Sequence, residues 1–338
     1  MTRPHAVPAL ERLVVGVDFT QASIDGAKWI ARHFAPEAEL VLVHVIQRLP
    51  VSRFLEKRFP ATDEVLETMR TGAEARLREL SASIARGLIW IEVRVGAPDE
   101  ELVRAAADFD ADLIALGRPE TRGNGWGRIG TTAQRVLRQS PVPVLLVTGD
   151  PVDAPSRLVV AVDDSDLTDH VLAWGGSLGE RFSADAVTMH VMSLSLFTGG
   201  SSFSDALVGG APVSAGDRLP HEEAIHDAER WLGERIDRVT GSKRMTPLVV
   251  SGFVRPADAI LEQARSHPGT LLVMGSKGAG AGAAHRFLYG SVAEGVLAAA
   301  GCPVLVIVPD AVRTPRSGTA RRPLPSRGAG DADARVSR

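Results

Sequence analysis

The feature that most constrains this chain is that it repeats itself. Arg12 to Asp18, RLVVGVD, returns as Arg157 to Asp163, RLVVAVD, with one difference in seven. LVLVHVI at Leu40 to Ile46 is answered by AVTMHVM at Ala186 to Met192. GTTAQRVLRQSPVPVLLV from Gly130 is answered by GSVAEGVLAAAGCPVLVI from Gly290. Matches in the same order at offsets of 145 to 160 residues mean two copies of one structural unit. The length of 338 residues agrees, since it suits two cores of roughly 150 residues better than one.

Within the first copy, short runs rich in Val, Ile and Leu alternate with helical patterns. The runs Leu13 to Val17, Leu40 to Ile46, Ile89 to Val95, Leu113 to Leu116 and Val142 to Val147 predict five strands. Leu66, Met69, Ala73, Leu77, Leu80 and Ile84 recur every three or four residues, the spacing of one buried helical stripe. Thr20 or a neighbour can cap the first helix, and Pro98 fits the first turn of the third. The second copy predicts strands at Leu158 to Val162, Ala186 to Val191, Leu248 to Val250, Leu271 to Met274 and Val304 to Val308. Strands apolar almost throughout need cover on both faces, which calls for a parallel sheet with right-handed crossovers. The expected fold class is therefore α/β, two tandem doubly wound domains. Their expected limits are 11–148 and 157–309, with an extension at 1–10, a linker at 149–156 and a disordered basic tail at 310–338.

That tail holds seven arginines and two aspartates from Ala311 onward, although the whole chain carries only −3. It is read as solvated chain, with nucleic acid an unlikely partner. Ser193 to Pro220, rich in Gly and Ser, has no counterpart in the first copy and reads as a surface loop. No apolar stretch reaches the length of a membrane span and the N-terminus lacks a signal-like apolar core, so the expected location is cytoplasmic. Cys302, the sole cysteine, is expected as a small buried hydrophobe.

In a doubly wound sheet, ligands sit beyond the carboxyl ends of the strands where strand order reverses. Each copy places an acid there, Asp18 in VDFTQAS and Asp163 in VDDSDLT. Either acid can take hydrogen bonds from a ligand or cap the helix that follows, and spacing alone leaves both readings open. Each copy also runs from strand 4 into a glycine-rich loop ending at a helix start, LGRPETRGNGWGRIGTT and MGSKGAGAGAAHRFLYGSV. Glycines allow backbone amides close to a phosphate, and the helix N-terminus adds partial positive charge. Thr131, Thr132 and Ser291 add hydroxyls.

With these residues in place, both copies resemble the universal stress protein family. Its nucleotide loop is Gly, two residues, Gly, nine residues, Gly, then Ser or Thr, followed by a helix and a Pro-Val-Leu-Val-like strand, as in SPVPVLLV and GCPVLVIV. The resemblance implies strand order 3-2-1-4-5 and ATP as ligand, with or without magnesium. It also implies a binding and regulatory protein with no evident catalytic cycle and at most slow incidental hydrolysis. Carried over by position, the adenine- and ribose-contacting acid falls on Asp18 and Asp163, and the strand-2 backbone contact on Val45 and Val191. The phosphate loop falls on Gly117, Gly130 and Thr131, and on Gly275, Gly278, Gly290 and Ser291.

In the first copy Glu120 stands where the family has its middle glycine, opposing a phosphate unless Arg118, Arg122 or Arg128 compensates. In the second, eleven residues separate Gly278 from Gly290, and Gly280 restores the spacing of nine. The second copy is therefore the favoured site, with Lys277 and Arg286 as phosphate partners. The alternative is a scaffold that has lost the ligand and works through protein contacts.

Other chemistries find little support. G-x-G-x-x-G at Gly125, Gly127 and Gly130 follows strand 4 rather than strand 1, which argues against a dinucleotide site. No G-x-x-x-x-G-K-[ST], H-E-x-x-H or G-x-S-x-G occurs. His44 and His190, at matching places in strand 2, read as histidines packed at a domain edge. The final apolar strands are expected to pair the copies as an intrachain pseudo-dimer, with homo-oligomers left open.

Overall fold

The computed structural model describes residues 7, 9–47, 63–84, 88–118, 130–148, 153–193, 219–276 and 290–309. The bodies of two compact units lie in Pro8–Ala154 and Pro155–Ile307. In the first, β1 (Arg12–Gly16), α1 (Gln21–Trp29), β2 (Glu39–Gln47), α2 (Asp63–Ser83), β3 (Ile89–Gly96), α3 (Pro98–Asp108), β4 (Leu113–Arg118), α4 (Thr131–Gln139) and β5 (Val144–Thr148) follow in turn. A π-helical turn, Ile30–Phe34, extends α1. The second contains β6 (Arg157–Val162), α5 (Thr168–Phe182), β7 (Asp185–Ser193), α6 (Leu219–Val239), β8 (Met245–Gly252), α7 (Pro256–Arg265), β9 (Thr270–Gly275), α8 (Ser291–Ala299) and β10 (Val304–Ile307).

Each unit is a parallel sheet. The orders are β3-β2-β1-β4-β5 and β8-β7-β6-β9-β10, both 3-2-1-4-5 as expected. All pairings within the units are parallel. The central strands are sealed on both faces: Leu13, Val14, Leu40, Leu42, Ile114, Leu158, Leu272 and Leu305 are fully buried. Each such side chain contributes about 1.5–3 kcal/mol through burial. At the amino end of the first sheet, the Asp112 carboxylate accepts from the Glu11 and Arg12 amides, both at 2.9 Å. The buried Arg12 guanidinium reaches Glu39 and the Phe109 carbonyl.

Three expectations need correcting. Ala73, Leu77 and Leu80 bury the α2 stripe, but Met69 is exposed and Leu66 only half-buried. β5 starts at Val144 because Pro143, which has no N–H, cannot continue a ladder. Cys302 is half-buried, in the bend that joins α8 to β10.

Helix packing differs between the copies at one matched place. Asp99, buried in the first turn of α3, faces Arg135 of α4 at 3.7 Å. The matching residues of the second copy are Ala257 and Gly295. There, a Cβ added to Gly295 would stand 2.9 Å from that of Ala257.

Candidate functional site

The reversal of strand order in each sheet lies between its first and fourth strands. At this point the first strand stops short. β1 last registers at Gly16↔Val43, while β2 continues to Gln47 and β4 to Arg118. The result is a notch floored by Val17 and Asp18 and walled by the ends of β2 and β4. In the second copy, β6 ends at Val162↔His190 and β7 continues to Ser193.

The notch leaves backbone polar groups facing it. The Val17 amide donates to the Val43 carbonyl at 2.9 Å, so Val43 points its N–H and C=O toward β1. Successive residues of a strand aim these groups at opposite neighbours, so Val45 aims its own at the same side, where β1 has already ended. Val191 matches Val45 in sequence, but in the second copy the strand pairing runs one residue further, to Val162↔His190, so the second notch is shallower. A donor and an acceptor side by side suit the edge of a planar heterocycle.

Below them lie the acids. Asp18 accepts from the Thr20 amide at 2.9 Å and from its hydroxyl at 2.6 Å. Burial pushes the Asp18 carboxyl up, but hydrogen bonding, from Thr20 first and then from Ser23, outweighs it and holds the group below its ordinary range. The cap of α1 is Thr20, whose hydroxyl accepts from the Ser23 amide at 3.3 Å. Between them Phe19 takes a left-handed φ of 62°. In the second copy the Thr168 hydroxyl donates to the Asp163 carbonyl. Arg235 of α6 ties down the following turn through Asp169, at 2.6 Å, and Asp164, at 3.4 Å.

Gly117, at the carboxyl end of β4, is where α1 rests on the strand. A Cβ there would lie 2.3 Å from the Ala22 carbonyl oxygen and 2.5 Å from Ser23 Cα. Helices α4 and α8 have glycine N-caps, Gly130 and Gly290, which supply no side-chain cap to the first-turn amides. Thr131 and Ser291 are exposed at these ends. The Gly290 amide donates to the Ser276 carbonyl at 3.1 Å, and the Ser276 amide to Ile307 at 2.9 Å, so the chain leaves and re-enters beside Gly275. Gly278, Gly280, Glu120, Arg122, Arg128, Lys277 and Arg286 lie outside the described residues, as do the tail, 194–218 and 149–152 of the linker.

Two groups at the notch were noted in the sequence without being placed there. His44 hydrogen-bonds through Nδ1 to the Val17 carbonyl at 2.8 Å, and His190 to that of Val162 at 3.1 Å. Phe19 packs on His44 with ring centres 4.4 Å apart, and the Arg76 guanidinium lies 3.9 Å above the Phe19 ring. Trp231 stands edge-on to His190 at 5.4 Å. The histidines therefore reach over the end of the first strand instead of packing at a domain edge. Their identical place in both copies was the available signal.

The universal stress protein family profile matches residues 9–148 and 155–308. The chain belongs to the universal stress protein family. It is a tandem member. A universal stress protein of Mycobacterium tuberculosis H37Rv is 28% identical over 316 residues, spanning 87% of this chain and 95% of the relative. One from Mycobacterium bovis is 25% identical over 311 residues, spanning 87% and 96%. The crystal structure of a universal stress protein from Archaeoglobus fulgidus superposes with a TM-score of 0.62 at 20% identity, covering 88% of this chain and 98% of that one. Among the described residues of this family member, no helix is long and apolar enough to cross a membrane, and no group of three His, Cys, Asp or Glu could hold a metal ion.

Proposed function

We propose that this universal stress protein is an adenine-nucleotide-binding regulatory protein, that ATP is its ligand, and that the second copy carries the stronger site. The observation that carries this reading is the repeated notch. In each copy the strand-2 backbone at Val45 or Val191 faces an opening whose floor leads to Asp18 or Asp163. Gly117, or Gly275, and a helix N-terminus with a glycine cap belong to the same end of the sheet.

Val45 and Val191 would offer an N–H and a C=O to adenine, and the acids would accept from ribose hydroxyls. The amides after Gly130 and Gly290, with Thr131 and Ser291, would receive phosphate oxygens, which magnesium can accompany. Glu120 in the first loop and glycines 278 and 280 in the second make the copies unequal. The proposed role is ligand-dependent regulation with no catalytic cycle.

A scaffold without nucleotide is the second reading, and one observation favours it: Gly117 is already required by the packing of α1, whatever binds. Equilibrium titration of the full chain with ATP separates the two. One strong site per chain is expected. Gly290→Asp, which sets a carboxylate at the phosphate end, should weaken it at least about tenfold, and Gly130→Asp should change it little. Loss in Gly130→Asp with binding retained in Gly290→Asp would reverse the assignment of copies. No binding by the parent protein would leave the scaffold.

A further inference from the structure

A hydrogen bond that both copies build at the lip of the notch, with different surroundings, is the histidine to strand-1 carbonyl bond. In the first copy the imidazole of His44 is backed by Phe19, which comes from the turn after β1, with Arg76 of α2 lying on that ring. In the second, His190 is backed by Trp231 of α6, and the Arg235 guanidinium stands 5.4 Å from the Trp231 ring. The supporting walls differ in residue and in element. The Nδ1 contact to the carbonyl just before the acid does not.

A carbonyl oxygen can only accept, so the bond requires the proton on Nδ1. Val17 bonds β2 through its amide, and among the described residues no backbone amide of β2 takes its carbonyl. His44 takes that place. Because the Val17 carbonyl and the Asp18 amide form one rigid plane, holding the oxygen sets the direction in which Asp18 leaves the sheet. The rigid plane applies equally to Val162 and Asp163, although Val162 is itself paired in register with His190 of β7.

We propose that His44 and His190 are positioning residues: each, as its Nδ1–H tautomer, clamps the peptide plane before the acid and so aims Asp18 or Asp163 at the ligand. The effect on affinity rests on the adenine-nucleotide reading given above, whereas the tautomer and the aim of the carboxylate do not.

The test uses the full chain and three substitutions at each site. His44→Leu and His190→Leu remove the donor. His44→Asn and His190→Asn keep an N–H near the place of Nδ1, and the Gln variants move it to the place of Nε2. Nitrogen-15 spectra of the ligand-free parent should show both rings protonated at Nδ1. The side-chain carboxyl resonance of Asp18 or Asp163 should move in the Leu and Gln variants and return in Asn. Titration with ATP should show affinity at the altered copy falling about tenfold with Leu and recovering to within about threefold with Asn.

A merely structural histidine would lower the melting temperature without this pattern of rescue. Rings protonated at Nε2 alone, or Leu variants with the parent's carboxyl resonances, would overturn the proposal. If the parent binds no ATP, the nucleotide reading falls while the spectra still decide the positioning role.

Discussion

Replacing Gly117 by alanine adds one methyl group at the tightest contact around the notch. The added Cβ would stand 2.3 Å from the Ala22 carbonyl oxygen and 2.5 Å from Ser23 Cα. Ordinary contacts between carbon and its neighbours lie near 3.5 Å, so α1 must withdraw by about 1 Å. Both obstructing atoms are backbone, and no side-chain rotation relieves them. Withdrawal loosens the face of α1 that buries Ser23, Gly26, Ala27 and Trp29, and a gap of that size forfeits up to about half of each contact's attraction.

Overpacking of this kind costs about 1–3 kcal/mol, and a clash confined to backbone belongs at the upper end. Amides of α1 and β4 should then exchange hydrogen roughly a hundredfold faster in Gly117→Ala, read by mass spectrometry. The control is the same substitution at Gly72 in α2, where a Cβ meets nothing within 4 Å. There, alanine should stabilise by about 0.5–1 kcal/mol through helix propensity. Gly117→Ala exchanging as slowly as the parent would refute the packing argument.

Two further outcomes are expected. Thr20→Ala removes the cap of α1 and should destabilise the first unit by about 1 kcal/mol in urea denaturation; because the hydroxyl's bond to Asp18 is lost while the amide's remains, the Asp18 carboxyl should titrate at higher pH by carbon-13 spectroscopy. Burial pushes the Glu92 carboxyl up, partly opposed by Arg94 and Arg70. A raised folded-state value means the folded form holds the proton more firmly, so stability falls as pH climbs from the ordinary carboxylate value to the raised one. Glu92→Gln should flatten that fall in denaturation curves taken across pH, and equal curves for variant and parent would count against it.

The fold was legible because the same apolar runs recur in the same order. RLVVGVD and RLVVAVD, both apolar on each face, leave little choice but a covered parallel strand. Strand order came through the resemblance, since periodicity says nothing of which strands are neighbours. The acids could be located and their duty could not: Asp18 proves to hold Thr20, which in turn caps α1, and no spacing distinguishes those roles. The orientation of Val45 depends on where β1 stops relative to β2, a matter of register that a single strand's pattern does not contain. Met69 misled because α2 keeps its helical period in a turn where it no longer rests on the core.

The contrast between Asp99 with Arg135 and Ala257 with Gly295 limits how freely parts of the two copies can be exchanged. A chimera that grafts α4 into the place of α8 alone would press an arginine onto Ala257, where even a methyl group is crowded. The reverse graft would leave Asp99 buried without its cation. Helices α3 and α4, or α7 and α8, must travel as pairs. A chain that began as one unit written twice has become two parts with separate keys, and recombination between its halves would be tolerated only at seams that keep each helix pair whole.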